Sequence, residues 1–267
     1  LFFLTAKTPG RRLGLDALAA LRSQETDMPL RVLEHVARDK ACEHPDRACH
    51  GESCPLARGF YDRLPAARKA ALDRRWLDQK AVREVALEHQ VCPYYLSQEL
   101  CRWSDVVVGD YNYYFDMTAL LYGLTVINDW RVTLLVDEAH NLIERGRSMY
   151  TAELDQNKFN DLRKIAPAGL KSALDRVGRH WNQLHRDQEA AYQVYPAIAD
   201  LFIISLQKAV GAITDHLTDQ PNGNDSALLR FYLDAMLFCR LAEAYGPHSL
   251  FDITRLPSRG TRTLSIL

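Results

Sequence analysis

The stretch that decides the fold is RVTLLVDEAHNLIE, residues 131–144. Val132, Leu134, Leu135 and Val136 form a short apolar run that reads as a buried parallel strand, and it stops at two carboxylates, Asp137 and Glu138. Paired acids at the carboxyl end of such a strand suit a cation. One can hold a Mg²⁺ that bridges nucleotide phosphates while its neighbour orients the attacking water, the Walker B arrangement. A strand ending in a solvated acidic turn accounts for the same letters.

Upstream, LFFLTAKTPGRR reads as a strand over residues 1–4 that runs into a polar turn bearing Thr5, Lys7 and Thr8. Hydroxyls and a lysine just past a strand end suit contact with a phosphate backbone, although an ordinary strand-to-helix turn uses the same residues. Leucines at 15, 18 and 21 predict a helix over residues 14–21, and a second short strand follows at 30–36. Strand, helix, strand opens a βαβ arrangement, so the fold class is α/β.

Composition bounds the rest. A chain of 267 residues, 47% hydrophobic and 25% charged with net charge −1, can bury one large or two modest cores and has no global positive field. No signal peptide is visible and no apolar run approaches the ~20 residues of a membrane span, which places the protein in the cytoplasm without a membrane partner. The chain opens on Leu1 within a strand and reads as a fragment.

Between residues 41 and 103 the cysteines interrupt the α/β pattern. Four of the six, Cys42, Cys49, Cys54 and Cys92, are spaced C-x6-C-x4-C-x37-C. In a cytosolic chain such thiols argue for metal rather than disulfides. Paired C-x2-C zinc knuckles are absent, whereas Cys54-Pro55 and Cys92-Pro93 are Cys-Pro steps of the kind found at iron–sulphur ligands; cluster, zinc and incidental thiols all stay open on spacing alone. Cys101 and Cys239 read as core thiols. Residues 64–90 carry one long helical pattern, and 58–83 holds eight basic against three acidic residues. On an ideal helix Arg68 and Arg75 lie two turns apart on one face with Arg74 beside the second, a candidate nucleic-acid face or a solvated one.

Here the chain resembles a known family. VCPYYLSQELCRWSDVVVGDYNYYFD (91–116), followed by Asp-Glu-Ala-His at 137–140, looks like the corresponding blocks of the XPD/DinG branch of superfamily 2, the iron–sulphur DNA helicases. The resemblance covers roughly residues 1–145. It implies a partial RecA-like P-loop NTPase motor domain with an iron–sulphur insertion and a mostly helical arch insertion. Carried over, Cys42, Cys49, Cys54 and Cys92 would ligate a 4Fe-4S cluster, Asp137 and Glu138 would serve Mg²⁺ and water in ATP hydrolysis, and His140 would couple hydrolysis to movement. Thr5, Lys7 and Thr8 match the motif that touches DNA backbone. The spacing of the first three cysteines varies in the family, which leaves Cys49 the least secure ligand.

After residue 141 the pattern turns almost purely helical, with helices expected at 154–165, 170–184, 195–217 and 227–245, broken at Pro167 and at DQPNGNDS (219–226). Such an insertion is similar to the arch of these helicases. Its aromatics, among them Trp181, Tyr195, Phe202 and Phe238, read as core or as base-stacking platforms. Residues 261–267 look like a strand returning to the motor domain. The expected division is 1–38 motor, 39–102 cluster domain, 103–145 motor, 146–250 arch and 251–267 motor. G-x-x-x-x-G-K-[ST] does not occur. The expectation is thus part of an ATP-dependent DNA helicase, acting on single-stranded or forked DNA in repair, inactive alone and completed by the remaining motor domains. The alternative is a non-catalytic DNA-binding module with a structural four-cysteine zinc site.

Overall fold

The computed structural model describes residues 1–24, 29–219, 226–255 and 261–266, so the break expected at 219–226 lies largely outside the described residues. The chain divides into two compact units, Leu1–Met149 and Tyr150–Leu267.

The first unit runs β1 (Phe2–Thr5), α1 (Thr8–Gln24), β2 (Val32–Glu34), α2 (Arg38–Ala41), α3 (Phe60–Arg74), β3 (Trp76–Leu77), α4 (Gln79–Glu88), α5 (Pro93–Leu100), β4 (Val106–Asp110), α6 (Asn112–Phe115), α7 (Leu120–Ile127), β5 (Leu134–Val136) and α8 (Leu142–Met149). Its five strands are parallel in the order β3-β2-β4-β1-β5. Crossover helices cover both faces of such a sheet, so its strands are continuously apolar. Val106, Val107 and Val108 are all buried. Val32, Val106 and Val108 pack with Leu15 and Leu18 of α1, while Leu4, Leu33 and Val107 pack with apolar residues of α3, α4, α5 and α7. In register, Thr5 sits opposite Asp110 and Leu4 opposite Val136, so the carboxyl ends of β4, β1 and β5 form one edge.

Two expectations change here. β5 is parallel but lies at the sheet edge, and Leu135 is 47% exposed instead of buried. The helical pattern of 64–90 is two helices. Arg75 takes a left-handed backbone (φ 59°), Trp76 and Leu77 pair with Val32 and Leu33, and the Asp78 carboxylate caps α4 by accepting from Ala81 N at 2.8 Å. Adding a strand to the sheet buries Leu77 completely, which an unbroken helix would not do. Arg75 therefore leaves the helical face it was expected to share with Arg68.

The second unit runs β6 (Thr151–Asp155), α9 (Gln156–Ile165), α10 (Ala168–Leu184), β7 (Tyr192–Tyr195), α11 (Asp200–Asp219), α12 (Ser226–Glu243), β8 (Leu250–Arg255) and β9 (Thr261–Ile266). The four expected helices are present, but with an antiparallel sheet of order β6-β9-β8-β7. The strand expected to return to the motor sheet is β9, and it pairs with β6 and β8 instead, Ser265 opposite both Ala152 and Phe251. Thr151–Asp155 alternates buried and exposed residues, a period of two too short to stand out beside the helix that follows. Trp181, Phe202 and Phe238 are fully buried; Trp181 stacks on Phe159 at 5.3 Å, so these rings are core. No helix among the described residues is long and apolar enough to cross a membrane.

Candidate functional site

In an open parallel sheet, ligands sit outside the carboxyl ends of the strands. Asp137 leaves the end of β5 there, its N–H donating to Leu4 O at 2.9 Å. Thr5, at the end of β1, is buried and its hydroxyl donates to Asp137 Oδ2 across 3.4 Å, a long hydrogen bond. Gly10, in the first turn of α1, lies against the same pair. A Cβ on Gly10 would fall 2.1 Å from Thr5 Oγ1 and 2.8 Å from Asp137 Oδ2, so only glycine lets α1 come this close.

The Tyr111 hydroxyl donates to Asp137 O from the turn after β4. Burial, then the Asp137 and Glu138 charges, raise the Tyr111 phenol above its ordinary value, which keeps the donor proton in place. Glu138 takes a left-handed backbone (φ 49°) and is exposed; its Oε2 accepts from Asn141 Nδ2 at 3.0 Å. His140 is exposed in the following 3-10 turn. From α8, Arg145 reaches back to the same edge, donating to Asp110 Oδ1 at 2.9 Å, Asn112 Oδ1 at 3.2 Å and Ala6 O at 3.0 Å, its guanidinium 5.5 Å from the Tyr111 ring centre. At the end of β2, Glu34 accepts from buried Arg11 (3.3 Å) and from Gln79 N (3.0 Å).

The four cysteines of the second cluster of candidates are free thiols. Cys42 follows α2 and Cys92 immediately precedes α5, whose first helical residue is Pro93. Burial raises the Cys92 thiol; the Tyr95 and Tyr94 N–H groups at the start of α5 oppose that, and Cys42 and Cys49 are near enough to push it further up. Arg38 Nη1 donates to Cys49 Sγ at 3.7 Å. Among the described residues no three His, Cys, Asp or Glu side chains close on one metal-ion position. Burial pushes the Cys101 thiol up to about 12 and Cys239 to about 11, in keeping with core roles.

Residues 28–159 match the DEAD_2 family model. These residues are a DEAD_2 domain, and the chain is similar to the XPD/DinG-like superfamily 2 helicases. It is 25% identical over 191 residues to a "Regulator of telomere elongation helicase 1 homolog" from Anopheles gambiae, 66% of this chain and 19% of that protein. It is 26% identical over 101 residues to "ATP-dependent DNA helicase CHL1" from Candida albicans, 38% of this chain and 12% of that one. The chain therefore spans less than a fifth of these relatives' length. Two solved structures share its fold: "Truncated XPD" (TM-score 0.51, 13% identity, covering 98% of this chain and 73% of that one) and "XPD_Helicase" (TM-score 0.52, 12% identity, 100% and 46%).

Asp137, within the DEAD_2 match and followed by Glu138, comes together with Thr5, which precedes that match, at the sheet edge. The Thr5 hydroxyl, expected at a phosphate backbone, is buried here and turned to Asp137, because β1 and β5 are neighbours and a buried group takes a partner within reach. Lys7 and Thr8 are exposed, Thr8 accepting from Arg11 Nη2 (3.2 Å) and Lys40 Nζ (3.3 Å). Arg68 pairs with Glu99 at 2.9 Å and stacks 4.9 Å over Trp103, while Arg74 pairs with Glu84 at 2.8 Å. Tyr111, Arg145 and Gly10 escaped the sequence reading. A glycine one helical turn past a strand end was the signal for Gly10; the other two have none, because their partners are tertiary.

Proposed function

We propose that the chain is part of an ATP-dependent DNA helicase that moves on and unwinds single-stranded or forked DNA, in the cytoplasm and in repair, together with further motor domains. The observation that carries the reading is the Asp137-Glu138 pair at the carboxyl edge of a parallel sheet, braced by Thr5, Tyr111 and Gly10. Bound ATP with Mg²⁺ would supply the phosphates and the charge that bridges them. Asp137 would hold the metal, Glu138 would orient the attacking water, and His140, exposed just after them, would couple the site to DNA. No G-x-x-x-x-G-K-[ST] lies in the 267 residues, so the phosphate cradle comes from another segment and this chain alone turns over no ATP.

Cys42, Cys49, Cys54 and Cys92 are the proposed ligands of a 4Fe-4S cluster, over the segment 39–102. A cluster would supply a cross-link among the segments that bear these cysteines. Its donor set fits: free thiols, with Cys92 influenced by Cys42 and Cys49. The zinc alternative would draw on the same four thiolates, at Zn–S ~2.3 Å, and metal analysis separates the two. The second unit, from Tyr150, is the candidate arch.

Two measurements test this. Chain made anaerobically should be brown, with iron and acid-labile sulphide in equal amounts, lost in Cys92→Ser and kept in Cys239→Ser; colourless, zinc-loaded protein overturns the cluster. Within the longer coding sequence, DNA-stimulated ATP turnover should vanish in Glu138→Gln. Turnover by the 267 residues alone would show the nucleotide site to be misplaced.

A further inference from the structure

The segments bearing Cys54 and Cys92 are far apart in sequence, and the Arg63 side chain hydrogen-bonds across them. Arg63, in the first turn of α3, donates through Nη2 both to Arg58 O and to Gln90 O, the latter at 2.8 Å across 27 residues. Gln90 holds a left-handed backbone (φ 53°) two residues before Cys92. On the other side, the N–H groups of Ala57 and Arg58 donate to Cys54 O at 3.1 and 3.2 Å, and Arg58 Nε donates to Gly51 O at 3.1 Å. The path from Cys54 to Cys92 thus runs through main-chain hydrogen bonds to Arg58, through the Arg63 guanidinium to the Arg58 and Gln90 carbonyls, and along the chain from Gln90 to Cys92.

The local backbone is shaped around this guanidinium. Gly59 adopts φ 60°, and a Cβ there would sit 3.4 Å from Arg63 Nη1. Arg63 Nε is buried without a partner, and among the described residues Arg63 makes no ion pair. A guanidinium is planar and presents its donors in a fixed fork, so one that satisfies two carbonyls from separate segments fixes their relative position. Carbonyl partners, rather than a carboxylate, mark its task as geometric.

We propose that Arg63 is a positioning residue for the four-cysteine set, holding the Cys54 and Cys92 segments at their mutual spacing before any cluster is present. The proposal rests on the cluster reading of Cys42, Cys49, Cys54 and Cys92 given above.

The test compares the 267-residue chain with Arg63→Gln, Arg63→Lys and, as a control on an exposed residue of the same helix, Lys69→Gln. Amide hydrogen exchange is measured on each protein before iron is added, and iron and sulphide retention against a chelator after anaerobic reconstitution. Arg63→Gln should exchange faster at residues 57–58 and 90–92 and lose iron at least fivefold faster, Arg63→Lys should fall between, and Lys69→Gln should match the parent in both. Unchanged exchange in Arg63→Gln overturns the proposal whatever the iron does. So does wild-type iron retention in a variant whose exchange has risen. If no protein takes up iron, the cluster reading fails by itself and the exchange data alone decide on the clamp. Should Arg63→Gln not fold, Arg63→Lys carries the comparison, because it keeps the charge and loses the fork.

Discussion

Arg145 Nη1 donates to Asp110 Oδ1 at 2.9 Å across 35 residues of sequence, joining α8 to the carboxyl end of β4. The same guanidinium holds Ala6 O just past β1 and lies against Tyr111, whose hydroxyl holds Asp137 O. The residue thus ties together the ends of the three adjacent strands that frame Asp137. Its ion pair is about a third exposed, which discounts the charge interaction, so Arg145→Ala should cost about 1 kcal/mol. Urea unfolding checks this: a midpoint equal to the parent's would show that the strand ends hold their places without Arg145.

Gly10→Ala should cost more, about 1–3 kcal/mol, because its Cβ would overlap a buried hydroxyl and a carboxylate. Thr5→Ala removes the atom that would lie 2.1 Å away. The double variant should therefore recover part of the loss, a coupling that a double-mutant cycle reads directly. Strict additivity would mean the clash is relieved by movement of α1.

His35 is fully buried and held near a pKa of about 4 by burial. Ser97 Oγ donates to Tyr94 O at 2.8 Å, so it accepts from His35 Nδ1–H at 3.0 Å, and His35 is neutral in the fold. Above pH ~7 both folded and unfolded states are neutral and the residue has no effect on pH dependence. As pH falls from about 6.5 to 4, the unfolded chain takes up a proton that the folded chain refuses, and stability drops by about 3 kcal/mol. His35→Asn keeps a donor for Ser97 and cannot titrate. Its stability should fall less steeply than the parent's over that window, measured by denaturant midpoints at several pH values; parallel curves would contradict the assignment.

On the DNA side, Arg68 and Arg74 already face Glu99 and Glu84, whereas Arg75 is exposed past the end of α3. Arg68, Arg74 and Arg75 changed together to Glu should weaken binding of fluorescent single-stranded DNA and lower the salt slope by about 0.7 for each phosphate that is no longer neutralised. Arg75→Glu alone should give most of the effect, since the other two guanidiniums are partly neutralised within the chain. Equal slopes in parent and triple variant would assign this surface to solvent.

Much of the first unit was legible in the sequence because its signals are local. Continuous apolar runs such as Val106–Val108 mark strands of a two-faced parallel sheet, and the Asp137-Glu138 step marks a strand end whatever surrounds it. The Cys-Pro steps and DEAH box are similarly contiguous. Pairing between distant residues is not written in any window of sequence. That β5 is an edge strand, that Trp76 and Leu77 break a helical pattern to join β2, and that β9 turns to β6 and not to the motor sheet all depend on which strand finds a partner. The same holds for side chains. The sequence determined that Thr5 is a polar residue at a strand end and that 58–83 is a basic segment; only the tertiary structure turned Thr5 inward to Asp137, aimed Arg63 at two cysteine-bearing segments and drew Arg145 to the ends of β4 and β1, because a donor takes its acceptor from whatever the packed chain brings within reach.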